Sequence, residues 1–352
     1  MKLKRLYFQL DAIKEKAIKL PLKKTDKWVV FSDLHMGDHS YKDDFKRNTE
    51  LFTYVLEDYY QKEFGLILNG DVEELQRFQY TTIRNAHPAV FNIFLQFHQK
   101  NKLLKTIGNH DVEFSYNEEI NQELPAAEAF LLEHKKGEIF IFHGHQASDF
   151  YIRYNKLVGW LLKYIATPLG FNNYSVAHHS KKKYKIEKDV YHYSAFQGIV
   201  SIIGHTHRPL FESLSKAERV KILIENLVRE YVLEKKEKRL KEIKKIIKSY
   251  RKDLRKIYRK QKNMDMQNVY GSKLNIPCLF NSGTVIGKRG ITCLEIENNN
   301  IKLVHWFDKN TSGKYLNKRG YEPEKIGEKN VFKMVLNEES LDYIFAKIKL
   351  LR

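Results

Sequence analysis

Cysteine is nearly absent: the 352 residues hold two, Cys278 and Cys293. Both lie inside apolar, strand-like runs, so neither a disulfide framework nor a thiolate zinc site is suggested, and a reducing compartment fits. Also missing is any stretch near the roughly 20 uninterrupted apolar residues of a membrane-spanning helix. The N-terminus, MKLKRLYFQLDAIKEKAIKL, carries lysines throughout and lacks the apolar block and small-residue cleavage site of a secretion signal. A cytoplasmic protein is therefore expected, with residues 1–24 forming an amphipathic helix. No G-x-S-x-G elbow, Walker loop or dinucleotide glycine fingerprint occurs, which removes the usual motifs of covalent hydrolysis and nucleotide binding. Internal repeats and low-complexity linkers are absent too.

What is present is an ordinary globular composition, 42% apolar, enough for one large domain or two. The formal charge of +19 is unevenly placed. Between Lys216 and Lys262 stand 19 Lys and Arg against 7 Asp and Glu, a surplus of +12 that leaves only +7 for the rest of the chain. Charge concentrated in one appendage points to a partner of that appendage rather than of the whole surface. Within it Leu240, Ile243, Ile247, Tyr250, Leu254 and Ile257 step by three and four, a seam of coiled-coil type.

Elsewhere short apolar runs alternate with helical patterns, as stacked βα units do. KWVVFSDLH reads as a buried strand, followed by a helix with Phe52, Val55, Leu56 and Tyr59 on one face. FGLILNGD, KLLKTIGNHD, EIFIFHGH and GIVSIIGHTH read as further strands, with helices expected around 86–100 and 124–135. IPCLFNSGT, ITCLEIE and IKLVHWF follow as antiparallel neighbours. The expected fold is α/β, two facing mixed sheets flanked by helices. The catalytic domain would span 25–210 and 271–352, with a helical lid at 149–196 and a lysine-rich helical insertion at 211–270.

The strand ends carry the chemistry. Asp33 and His35, Asp71, Asn109 and His110, and His143 each close one run, with intervals of 36 residues from His35 to Asp71, 38 to Asn109 and 34 to His143. One βα unit is about that long. Parallel strands would gather these side chains at a single sheet edge, where open α/β folds bind ligands, and His205 and His207 arrive at the end of one more strand. Gly70, Gly108, Gly144 and Gly204 sit beside them and let the backbone turn sharply. Carboxylate, amide and imidazole suit divalent ions, manganese first, then iron, zinc or magnesium. With seven candidate ligands, two ions about 3.5–4 Å apart are expected, an arrangement that favours a phosphate substrate.

DLH, GD, GNHD, HGH and GHTH, in that order over residues 33–207, resemble the motifs of the calcineurin-like metallophosphoesterase family, and FNSGT near 280 resembles the loop that follows them. The resemblance implies the αββα sandwich of that family. It also implies that Asp33, His35, Asp71 and His207 hold one metal and Asp71, Asn109, His143 and His205 the other. Hydroxide shared by the two ions would attack phosphorus, with His110 contacting the phosphoryl group or protonating the leaving oxygen and Asp111 orienting it. Glu74 stands where many relatives carry a second aspartate. His145 shares a face with His143 and is open to substrate, metal or a supporting role. The lid, HGHQASDFYIRYNKLVGWLLKYIATPLG, together with Arg208 and Pro209, is similar to the branch containing UDP-2,3-diacylglucosamine pyrophosphatases. There Arg153, Lys156, His145 and Arg208 would meet a lipid-linked diphosphate at the inner face of the membrane; many members of that branch have arginine where this chain has His110. Rival expectations are a nuclease or nucleotide phosphodiesterase whose insertion grips nucleic acid, and a non-catalytic scaffold. The insertion could equally meet an anionic membrane, or pair with a second copy through its seam.

Overall fold

A computed structural model describes residues 2–148, 151, 180–214, 216–260, 276–316 and 318–352. Helix α1 (Lys2–Lys16) leads into β1 (Ile18–Leu22) and β2 (Trp28–Phe31). Then come α2 (Thr49–Gln61), β3 (Gly65–Asn69), α3 (Tyr80–Ala86), α4 (Pro88–Gln99), β4 (Leu103–Thr106), α5 (Glu118–Glu123) and the hairpin of β5 (Ala129–His134) and β6 (Gly137–Phe142). Helix α6 (Ser180–Gln197) and β7 (Val200–Ile203) precede two long helices, α7 (Lys216–Leu233) and α8 (Glu237–Lys260). The chain closes with β8 (Leu279–Asn281), β9 (Ile291–Glu297), β10 (Asn300–Asp308), β11 (Glu324–Lys325), β12 (Val331–Ser340) and α9 (Leu341–Leu351).

Two mixed sheets result, one in the order β1-β5-β6-β7-β8 and one in the order β11-β12-β10-β9-β2-β3-β4. Alternation along the strands shows how they stack. Val30 and Ile67 point into an apolar layer shared with Ile141, Ile202 and Phe280 of the other sheet, whereas Val29, Phe31, Leu66 and Leu68 point outward onto Phe52 and Val55 of α2 and Phe91 and Phe94 of α4. Successive strand residues face opposite sides, so one strand serves both layers. Helices α1, α6 and α9 add Leu10, Val190 and Ile344 to the core of the five-stranded sheet. This is the expected α/β architecture of two facing sheets flanked by helices. No helix among the described residues is long and apolar enough to cross a membrane.

Local expectations need correction in three places. The first helix stops at Lys16, and Ile18–Leu22 instead forms an edge strand parallel to β5, where Pro21 is tolerated because one side of an edge strand makes no ladder. In place of a helix over 124–135, α5 ends at Glu123, just before Pro125, and Ala129–His134 pairs antiparallel with β6. A short apolar run such as AFLLEH fits both templates, and length alone favours the strand. Strand β8 lies parallel to β7 in the smaller sheet, away from its expected antiparallel neighbours β9 and β10, which do pair with each other.

Between the adjacent parallel strands β7 and β8 the chain projects α7 and α8 as an antiparallel hairpin. Val220, Ile246 and Tyr250 form its buried centre, flanked by Ile224, Leu227 and Leu254. Tyr250 donates to the Gly320 carbonyl at 2.6 Å, Arg219 donates to Asn337 at 2.8 Å, and Asp253 pairs with Lys318, so the hairpin root is fastened to the sandwich. Of the seam read from the sequence, Tyr250 and Leu254 join this cluster and Ile243 is buried, while Ile246 packs where Ile247 was expected and Leu240, Ile247 and Ile257 are half-buried.

Candidate metal centre

The chemistry-bearing loops do not come from one sheet. Asp33 and His35 follow β2, Asp71 follows β3 and Asn109 to Asp111 follow β4, all in the larger sheet; His143 and His145 follow β6, and His205 and His207 follow β7, in the smaller. The two sets of strand ends meet across the sandwich. Asn69 ties them together, its amide donating to Phe142 O at 3.1 Å and Ile202 O at 3.4 Å. Asn281 in turn holds the β7 loop, donating to Gly204 O at 2.8 Å and to the Thr206 hydroxyl at 3.0 Å.

Backbone strain concentrates in these loops. Asp33, His35, Asp71, His205 and His207 all have positive φ, between 48° and 61°. For non-glycine residues that conformation costs about 1–3 kcal/mol each and persists where surrounding structure enforces it. The expectation that glycines make the turns is thus only half of the account. At Gly108 a Cβ would lie 2.2 Å from Asp71 Oδ1, and at Gly204 it would lie 2.7 Å from Asp33 Oδ2. These two glycines leave room for the carboxylates beside them, while the ligand candidates themselves take the strained conformation.

The side chains converge in three overlapping sets whose ligand atoms all lie within 4.8 Å of one another: Asp33, His35 and His207; His35, Asp71 and His110; and Asp71, His143 and His205. His207 Nε2 is 3.1 Å from Asp33 Oδ1 and 3.2 Å from His35 Nε2, and His143 Nε2 is 3.0 Å from Asp71 Oδ2. Asp71 and His35 each belong to two of the sets. The tautomers are fixed from behind: His143 Nδ1 donates to Asn69 O at 2.8 Å, and Glu74 accepts from His35 Nδ1 at 2.8 Å and His110 Nδ1 at 2.7 Å. Each of these rings is left with Nε2 facing the centre. Asn109 Oδ1, His205 Nε2 and His145 Nδ1 are buried and have no hydrogen-bond partner. Buried polar atoms are rarely left unsatisfied, so this donor set fits divalent cations.

Electrostatics supports the same fit. Burial opposes charge on His143 and His35, yet Asp71 and Asp33 raise His143 to about 10, and the Glu74 hydrogen bond with the Asp71 charge raises His35 to about 9. Burial likewise opposes charge on Glu74, but its bonds to His110 and His35 hold it at about 2. Asp71 stays well below the carboxylate range: burial opposes its charge, and His143 and His110 outweigh it. Protons on imidazole thus supply the positive charge that the carboxylates demand.

The remaining expected residues divide. His145 is buried, with its ring centroid 5.5 Å from that of His143 and 6.2 Å from that of His205. Asp111 does not touch His110: its carboxylate accepts from the backbone N–H of Val72 at 2.7 Å and of Gly108 at 2.5 Å, and the orienting carboxylate is Glu74. Arg208 is held by Glu187, a fully buried carboxylate on α6 that also accepts from Thr206 at 2.7 Å. Arg153 and Lys156 lie outside the described residues.

Sequence reading missed Lys183. It stands one turn before Glu187 on α6 and is partly buried, with Asp33 and His207 within its electrostatic reach. Burial lowers its pKa, and no hydrogen bond or ion pair to a described residue occupies its ammonium group. Nothing in the run SKKKYK separates Lys183 from its neighbours.

No family model matches this chain and no curated protein resembles it in sequence. Among solved structures it is similar to a Streptococcus pneumoniae TIGR4 protein whose crystal structure is described as that of a predicted phosphoesterase. The identity is 12% and the TM-score 0.29, with 80% of this chain and 89% of that one covered. Overlap that low defines neither family nor activity.

Proposed function

We propose that the chain is a divalent-metal-dependent phosphohydrolase of the calcineurin-like type, cleaving a phosphodiester or diphosphate bond. The observation that carries this reading is the convergence, from two sheets, of overlapping Asp/His sets with orphaned buried nitrogens and an orphaned amide oxygen. Asp33, His35 and His207 would hold one ion, and Asn109, His143 and His205 a second, with Asp71 shared. Such ions supply Lewis-acid charge at the phosphoryl group and make attacking water available near neutral pH. Around them the protein positions groups. Glu74 keeps the Nδ1 proton of His110 in place, so that Nε2 meets the phosphoryl or leaving oxygen. Lys183 reaches the same space from α6 as a charge for the anionic substrate, while Glu187 keeps Arg208 beside the loop that carries His205 and His207. A non-catalytic scaffold is disfavoured because every expected ligand position is filled.

The substrate to test first for the diphosphate reading is UDP-2,3-diacylglucosamine, on the strength of the sequence resemblance of HGHQASDFYIRYNKLVGWLLKYIATPLG to that branch. Release of UMP in the presence of manganese or magnesium is the expected result. Hydrolysis of a generic aryl phosphodiester with no UMP release would keep the phosphohydrolase and remove that substrate; no hydrolysis of either would remove the enzyme. A second reading, a nuclease or nucleotide phosphodiesterase, is favoured by the basic face of α8.

A further inference from the structure

The outer face of α8 is a continuous cationic stripe. Between Lys238 and Arg259 ten Lys and Arg side chains are exposed. The row Lys241, Lys245, Lys248, Lys252, Arg255 and Arg259 advances by alternate steps of four and three, which keeps it on one side of a helix with 3.6 residues per turn. At that periodicity all ten fall within an arc of about 140°. The two acids in this stretch, Glu242 and Asp253, lie off the arc and are engaged elsewhere, with Arg239 and with Lys318.

The opposite face of α8 is unavailable. Ile243, Ile246 and Tyr250 are buried, and Tyr250 is bonded to the sandwich through Gly320. The helix cannot roll to immerse an apolar side in lipid, which is how basic amphipathic helices settle at a membrane surface. The stripe itself carries no apolar residue. A 24-residue helix is about 36 Å long, matching about ten base pairs of duplex at 3.4 Å each. Evenly spaced cations over that length complement an extended polyphosphate backbone.

We infer that the outer face of α8 is a nucleic-acid-binding surface that engages the phosphate backbone without reading sequence. Binding of this kind requires no catalysis and stands whether or not the metal centre hydrolyses the bound strand. Four neutralised phosphates contribute about 3.6 to the slope of log K against log salt on duplex DNA.

The test uses the full chain and a fluorescein-labelled 20-base-pair duplex of arbitrary sequence, with anisotropy measured from 50 to 200 mM NaCl. The expected result is binding that weakens steeply with salt. In the variant K241Q/K245Q/K248Q/K252Q the slope flattens by about 3 to 4. Manganese-dependent hydrolysis of an aryl phosphodiester and the circular dichroism spectrum stay unchanged in that variant, which separates this result from failure of the phosphohydrolase reading. No binding by the wild-type chain, or an unaltered slope in the variant, would overturn the inference. So would co-sedimentation with vesicles of phosphatidylcholine and phosphatidylglycerol without duplex binding, which would assign the stripe to a membrane.

Discussion

The candidate metal centre and the α7–α8 hairpin are two charged regions of this molecule, and they handle charge in opposite ways. In the centre, charged groups are buried, strained and matched nearly one to one; Asp33, Asp71 and His143 are essentially inaccessible to water. On the outer face of α8, cations stand in solvent, Lys241 paired with Glu237 at 3.4 Å, and the backbone is regular helix. Buried charge is costly unless its geometry is exact to a fraction of an ångström, so such a site implies short-range chemistry. Exposed charge of one sign is cheap and acts over about a Debye length, so it implies attraction of a large polyanion.

This contrast makes graded predictions. Asp71→Asn, which removes the shared carboxylate, should lower manganese-dependent hydrolysis of an aryl phosphodiester by about 10³-fold or more while thermal unfolding changes little. Retained turnover would show that the convergence is structural only. Metal affinity should depend on pH because His35 and His143 hold protons in the metal-free protein, at about 9 and about 10. A cation must displace both, so the affinity falls as pH drops and rises as pH climbs toward those values, by up to about 100-fold per unit between pH 6 and 8. Calorimetry in buffers of different ionisation enthalpy counts the released protons; a count of zero would break the proposed balance of charge.

Smaller effects test the supporting groups. Glu74→Gln should weaken metal binding or turnover by about 10–100-fold, since the amide keeps the shape but not the charge that holds His35 and His110. Lys183→Ala should cost about tenfold in kcat/KM and leave metal affinity unaltered, because the ammonium meets substrate rather than ion. An equal loss from neutralising Lys241 and Lys245 on the hairpin would erase the distinction between the two regions.

The convergence was legible because the candidate ligands end β2, β3 and β4 at intervals near one βα unit; the similar interval from Asn109 to His143 instead spans α5 and the hairpin of β5 with β6. The sheet each strand joins was not, since HGH and GHTH carry no mark of the sheet they enter; only pairing of β6 with β5 and β7 places them. The resemblance implies that Asp111 orients His110, but two backbone N–H groups claim its carboxylate. Glu74 stood out only as the residue found where relatives carry a second aspartate, with nothing in the sequence to tie it to His35 and His110, and the left-handed backbone was hidden because none of the five residues that adopt it is glycine. AFLLEH was ambiguous by periodicity. The basic hairpin was legible as composition, and the one-sided arrangement of its cations as periodicity.

The most direct measurement is anomalous scattering from crystals of the protein soaked in manganese. Two peaks are predicted, one among Asp33, His35 and His207 and one among Asn109, His143 and His205, with Asp71 between them. No peak at saturating manganese, or peaks away from these residues, would contradict the account.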